Sequence, residues 1–224
     1  MSLFIHPSIL NADHHNMQSE FDRVVAGGAD GIHLDIMDGK FVEPVTFDLG
    51  TIERYTAMCG LPFDAHLMIV EPEKHADDYI AAGADLVTFH LEVAENPERL
   101  IDHLHGRGVK AGITVNPDKS AEGMIRLADR VDLVLFMSVF PGYGGQKFMP
   151  EVLENVRALK RHCVEHGIEI MIQIDGGINL ETAPRAVAAG VNNLVAGTFI
   201  FRSPDYGAAI QELRRACEKA ESDF

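Results

Sequence analysis

Short β-branched apolar runs alternate along the whole chain with longer stretches in which apolar residues recur every three or four positions. Eight runs read as strands: Phe4–Leu10, Gly31–Ile36, Phe63–Ile69, Leu86–Leu91, Lys110–Val115, Val131–Val139, Ile168–Ile174 and Val191–Ala196. Between them, amphipathic stretches such as Met17–Ala26, Glu73–Ala82, Pro97–Arg107, Met149–Glu165 and Tyr206–Ala220 read as helices. Several end at a glycine, the residue that most easily takes the left-handed conformation of a helix C-terminus; Gly28, Gly83 and Gly190 occupy equivalent places. The string Gly-Ala-Asp at 28–30 and 83–85, with its relative Gly-Val-Asn at 190–192, marks the helix-to-strand turn of successive units.

Divided evenly, 224 residues give eight units of about 28 residues each, with no linker between them. Such an alternation closes into a (β/α)8 barrel or opens into a doubly wound sheet. A dinucleotide-binding sheet carries G-x-G-x-x-G after its first strand, and here that turn reads Ser8-Ile9-Leu10-Asn11-Ala12-Asp13. The spacing therefore predicts one α/β domain over residues 1–224, a (β/α)8 TIM barrel. Its site lies at the carboxyl ends of the strands.

The polar residues closing each run carry the candidate chemistry. The second run closes on His33-Leu34-Asp35-Ile36-Met37-Asp38, where alternation puts His33 and Asp35 on one face. The first closes on Ser8 and Asn11, the third on Asp64-Ala65-His66-Leu67-Met68, the fourth on His90-Leu91-Glu92, and the seventh on Gln173-Ile174-Asp175-Gly176-Gly177. Charged groups at the ends of apolar strands are costly to bury unless paired or bound to a cation. His33, Asp35, His66 and Asp175 together make a nitrogen–oxygen donor set for one divalent transition metal ion such as Zn, Fe, Mn or Co. His90 and Glu92 are expected to support that set, while His14, His15, His75, His103, His105, His162 and His166 read as solvated surface.

Three later runs lead into glycine-rich turns: Pro141-Gly142-Tyr143-Gly144-Gly145-Gln146, Asp175-Gly176-Gly177 and Ala196-Gly197-Thr198. Glycine lets the backbone approach a ligand and present its N–H groups, so three such turns on one barrel face form a candidate phosphate cradle. Met37, Met68 and Met137 close their strands at a common level and make a possible polarizable cap over the site.

Nineteen basic residues against 34 acidic ones leave a net charge of −15, which argues against nucleic acid or an anionic membrane as partner. Three cysteines, Cys59, Cys163 and Cys217, show no paired spacing and fit a reducing compartment. The N-terminal MSLFIHPSIL lacks the pattern of a secretory signal, and no apolar run is long enough to span a membrane, so the expected location is cytoplasmic.

The sequence closely resembles the ribulose-phosphate 3-epimerase family over essentially its whole length. The motifs are Pro7-Ser8-Ile9-Leu10, His33-Leu34-Asp35-Ile36-Met37-Asp38-Gly39, Asp64-Ala65-His66-Leu67-Met68, Pro141-Gly142-Tyr143-Gly144-Gly145-Gln146 and Asp175-Gly176-Gly177-Ile178, in that order. The resemblance implies a ribulose-phosphate-binding barrel, a metal held by His33, Asp35, His66 and Asp175, and Asp35 and Asp175 as the acid/base pair. It further implies substrate contact by Ser8 and His66, phosphate binding through Gly142, Tyr143, Gly144, Gly145, Gly176, Gly177, Gly197 and Thr198, and a homo-oligomer. The implied reaction takes D-ribulose 5-phosphate to D-xylulose 5-phosphate through a cis-enediolate, within the pentose-phosphate pathway. Phe140 stands where the family pattern has Asn, Gln173 where it has Glu, and the Lys40–Pro44 loop also departs from it. Allulose 6-phosphate, a hexulose phosphate, would need the same chemistry, so both sugars stay open at this point. A Schiff-base aldolase would need a lysine closing a strand, and none does; a non-catalytic sugar-phosphate binder would be expected to lack a ligand or a carboxylate, and all four are present.

Overall fold

The structure, a computed structural model, describes residues 3–218 and 220. Eight parallel strands, β1 (Phe4–His6), β2 (Ile32–Met37), β3 (Phe63–Met68), β4 (Leu86–His90), β5 (Lys110–Val115), β6 (Leu133–Met137), β7 (Met171–Asp175) and β8 (Asn193–Val195), pair in the order β1-β8-β7-β6-β5-β4-β3-β2. The ring closes between β1 and β2, where Ser8 bridges His33, the His33 amide donates to Pro7 O at 3.0 Å and the Asp30 amide to Ile5 O at 3.0 Å. Around it run α1 (Met17–Ala26), α2 (Leu49–Met58), α3 (Pro72–Ala81), α4 (Pro97–Gly106), α5 (Glu122–Arg126), α6 (Val152–His166), α7 (Thr182–Ala188), α8 (Thr198–Phe201) and α9 (Tyr206–Cys217). The barrel expected from the alternation is therefore present. The predicted helix Tyr206–Ala220 ends earlier, at Cys217, and Lys219 lies outside the described residues.

Several strands are shorter than their apolar runs. β1 stops at His6, because Pro7 has no N–H to give a ladder, and Ile9–Asn11 coils into a 3-10 turn. Ile168 and Val191, read as strand residues, instead close the preceding helices: their amides reach back to Cys163 O (2.9 Å) and Ala186 O (3.1 Å) after the left-handed Gly167 and Gly190. Ala29 and Ala84 do the same with Val24 O and Tyr79 O. This explains the repeated tripeptide: glycine turns left-handed, the next residue caps the helix, and the acidic or amide residue ties the barrel floor. Asp30 accepts from the Ile5 amide (2.7 Å), Asp85 from Phe63 (2.8 Å) and Asn192 from Ile172 (2.8 Å).

Outward strand residues such as Leu34, Ile36, Leu67, Phe89, Ile113 and Ile174 pack with the helices in one continuous core. Inside the ring, Leu133, Leu135 and Met137 form a small separate apolar cluster with Leu86 and Val139. Much of the remaining interior is polar and buried, including His6, His33, Asp35, Asp64, His66, Thr88, His90, Thr114, Gln173 and Asn193. Burial of this much polar chemistry inside a barrel marks where function sits. Among the described residues, no helix is long and apolar enough to cross a membrane.

Candidate active site

Pairing of β2 with β3 sets Asp35 beside His66 and His33 beside Asp64. His66 Nδ1 lies 3.3 Å and His33 Nε2 3.5 Å from Asp35 Oδ1. With Asp175 from β7, the four residues bring one donor atom each within 4.8 Å of one another. His33 Nε2 is buried without a hydrogen-bond partner, as a free ligand nitrogen would be. Two imidazoles and two carboxylates in this arrangement could hold a divalent cation, and the donor set suits a transition metal. The other nitrogen of each imidazole is engaged: His33 Nδ1 meets Asp64 Oδ2 at 3.0 Å, and His66 Nε2 meets His90 Nε2 at 2.9 Å. His90 Nδ1 has Glu92 Oε2 as its nearest carboxylate atom at 3.5 Å, so the two residues expected to support the set stand directly behind His66.

The protein's own charges separate the two candidate acid/base residues. Burial pushes Asp35 up, but His33 and His66 outweigh it and hold the carboxyl well below its usual range. Ser8 Oγ donates to its Oδ2 at 2.5 Å. Asp175 moves the other way, pushed up to about 7 first by the loss of hydration on burial and then by the negative charges of Asp35 and Asp64. For His33, burial lowers the pKa and the flanking carboxylates of Asp64 and Asp35 raise it further than burial lowers it. Burial is the largest influence on His66, which is pushed down to about 4.

Above this floor opens a cleft enclosing about 600 Å³, its mouth included. Ser8, Asp35 and Asp175 line it together with Met37, Met68 and Met137, as do Gly142, Tyr143, Gly144, Gly145, Gly176, Gly177, Gly197 and Thr198. His33 and His66 lie beneath it, fully buried. Gly177, at φ 63°, leaves no room for a side chain, since a Cβ there would lie 2.8 Å from the Phe148 backbone nitrogen. Asn11 joins two of the turns: its Oδ1 accepts from Thr198 Oγ1 at 3.0 Å and packs against Gly144 and Gly197. Across the mouth, Tyr143 Oη donates to Glu43 Oε2 at 3.3 Å, connecting the turn after β6 to the loop after β2.

The ribulose-phosphate 3 epimerase family matches residues 4–201 of this sequence. The chain belongs to that family. Similar curated relatives are the ribulose-phosphate 3-epimerases of Bacillus subtilis, 42% identical over 93% of this chain and 96% of that protein, and of Escherichia coli, 35% identical over 98% of each. Among solved structures, thiamine phosphate pyrophosphorylase from Pyrococcus furiosus superposes with a TM-score of 0.66 at 18% identity, covering 97% of this chain and 96% of that one. A 3-hexulose-6-phosphate synthase gives 0.65 at 20% identity, covering 96% and 99%; at such identities these two speak to the barrel alone. As a member of the epimerase family the chain is an enzyme, an isomerase of carbohydrate metabolism.

Sequence reasoning reached the top polar level of the epimerase barrel and missed the one below it. His6, Asp64, Gln173 and Asn193 fill that lower level; the sequence motifs include Asp64 and Gln173 but give neither a role. The signal was available: His6, Asp64 and Gln173 each stand two residues before Ser8, His66 and Asp175, on the same inward face. The surface histidines fall outside the barrel interior as expected, with His162 half-buried against His166, their rings 4.1 Å apart.

Proposed function

We propose that this enzyme inverts C3 of a 2-ketopentose phosphate, interconverting D-ribulose 5-phosphate and D-xylulose 5-phosphate in the cytoplasm. The names of its relatives support the substrate. The observation that carries the reading is the pair Asp35 and Asp175, which line one cleft and have their carboxyl groups driven in opposite directions. Inversion needs a base on one face of C3 and an acid on the other, and two carboxyls of unlike proton affinity at neutral pH meet that need. Asp35, ionised, takes the proton from C3; Asp175, protonated, returns one to the opposite face of the planar enediolate; in the reverse direction the roles exchange. Ser8 donates to Asp35 Oδ2, while Oδ1 faces His33 and His66.

His33, Asp35, His66 and Asp175 would hold one divalent cation, Zn, Fe, Mn or Co. When bound, it supplies Lewis-acid stabilisation of the negative charge that develops on the substrate oxygens. The phosphate rests against the backbone amides of Gly142–Gly145, Gly176–Gly177 and Gly197–Thr198. Met37, Met68 and Met137 close over the sugar and keep water from the enediolate. His66 touches the substrate from below, and the active form is a homo-oligomer.

The deciding experiment is a turnover panel on the purified enzyme with D-ribulose 5-phosphate and D-allulose 6-phosphate. The pentulose is expected to give the higher kcat/KM; preference for the hexulose would reassign the sugar, and activity on neither would end the epimerase reading. Asp35→Asn and Asp175→Asn are each expected to lower kcat by about 10²–10⁴-fold with cation still bound. Near-normal turnover in either variant would defeat the two-carboxylate scheme.

A further inference from the structure

The lower polar level of the barrel is not explained by the reaction. Asp64, 2% exposed, sits beneath the candidate cation site on β3 and touches no part of the cleft. Burying a carboxylate is unfavourable unless it is fully used, and this one is. Its Oδ2 meets His33 Nδ1 at 3.0 Å and Gln173 Nε2, from β7, at 2.6 Å. Thr88 Oγ1 stands 3.5 Å from Oδ1, and His6 Nδ1 3.5 Å from Oδ2.

An ionised carboxylate can only accept, so the proton shared by Asp64 and His33 belongs to His33 Nδ1. In the neutral imidazole that a cation would bind, that choice leaves a lone pair at His33 Nε2, the buried atom with no hydrogen-bond partner among the described residues, which lies 3.5 Å from Asp35 Oδ1. We propose that Asp64 is a positioning residue: it fixes His33 as the tautomer whose Nε2 points at the cation, and Gln173 holds Asp64 in place for that task. The inference rests on the cation site proposed above and assigns a role to residues outside its four ligands. Gln173 suits the role because its amide donates to Oδ2 and adds no charge, so the carboxylate stays aimed across the barrel at His33.

The test uses the whole enzyme and metal ions alone. Competition against a chromophoric chelator gives Co²⁺ and Zn²⁺ affinities for wild type, Asp64→Asn, Asp64→Leu and Asn193→Leu. An Asn at 64 can still turn its oxygen to His33 and Gln173, with its amide toward Thr88, so affinity is expected to fall about tenfold; Leu offers no acceptor, and the fall is expected to approach about 100-fold. Asn193, whose hydrogen bonds go to His6 and Met171 Sδ in the same layer, is the control and is expected to leave affinity unchanged. In Zn²⁺-loaded wild type, long-range ¹H–¹⁵N spectra are expected to place the His33 proton on Nδ1. A proton on Nε2 overturns the proposal, as do wild-type affinities in the Asp64 variants or an equal loss in Asn193→Leu. If Asp64→Leu fails to fold, Asp64→Asn and the spectra still decide. Failure of the wild type to take up either ion would overturn the cation site itself, an outcome distinct from a wild type that binds and Asp64 variants that bind equally well.

Discussion

At neutral pH, with only the protein's charges acting, His33 and Asp175 both hold protons more tightly than such groups do in water. A cation taking His33 Nε2 must displace the proton there, whereas Asp175 can offer one oxygen and keep its proton on the other. Protons on His33 therefore compete with the metal, and the sign follows: affinity is weaker at low pH, rises with pH, and levels off once His33 would be deprotonated anyway. We expect chelator competition to give binding at least about tenfold tighter at pH 8 than at pH 6. A pH-independent affinity would contradict this assignment of protons. His66 has no part in the dependence, because at about 4 its pKa lies below that range.

Each strand element divides its labour between two ends. The carboxyl ends hold the chemistry, while the amino ends are tied by side chains such as Asp85, which accepts from the Phe63 amide. Asp85→Ala removes one such bond, worth about 1 kcal/mol, and should lower Tm by about 2–4 °C while kcat and KM stay at wild-type values. A loss of turnover without a loss of stability would mean that the two ends are coupled. The same division decides what the sequence could tell. His33, Asp35, His66 and Asp175 are legible because each closes an apolar run, and the glycine turns because three of them follow strands on one face of the barrel. Ile168 and Val191 misled, since an apolar residue capping a helix looks like the first residue of a strand. α5 and α8 are faint in the sequence, since they span only five and four residues, and α7 carries Pro184. Asp64 and Gln173 were seen only as letters because their partners lie on other strands, 31 and 109 residues away in sequence.

At the scale of the whole molecule, an enzyme with a net charge of −15 is proposed to bind a sugar phosphate, itself an anion. The phosphate turns line up backbone groups instead of lysines or arginines, and among the described residues no lysine or arginine lines the cleft. Local attraction then comes from short-range donors and from any bound cation, while the long-range field of the surface repels the substrate. These two contributions respond differently to salt: donors at contact distance are hardly screened, but a field acting over about 30 Å at 0.01 M ionic strength shrinks to about 8 Å at 0.15 M. Raising salt should therefore help this enzyme. We expect kcat/KM for D-ribulose 5-phosphate to rise between 10 and 150 mM NaCl, the reverse of what a basic funnel produces. Stopped assays at constant pH and fixed metal concentration would measure it. A fall in kcat/KM over the same range would mean that a positive local field outweighs the acidic surface even at a distance, and that the bound cation dominates the approach as well as the chemistry.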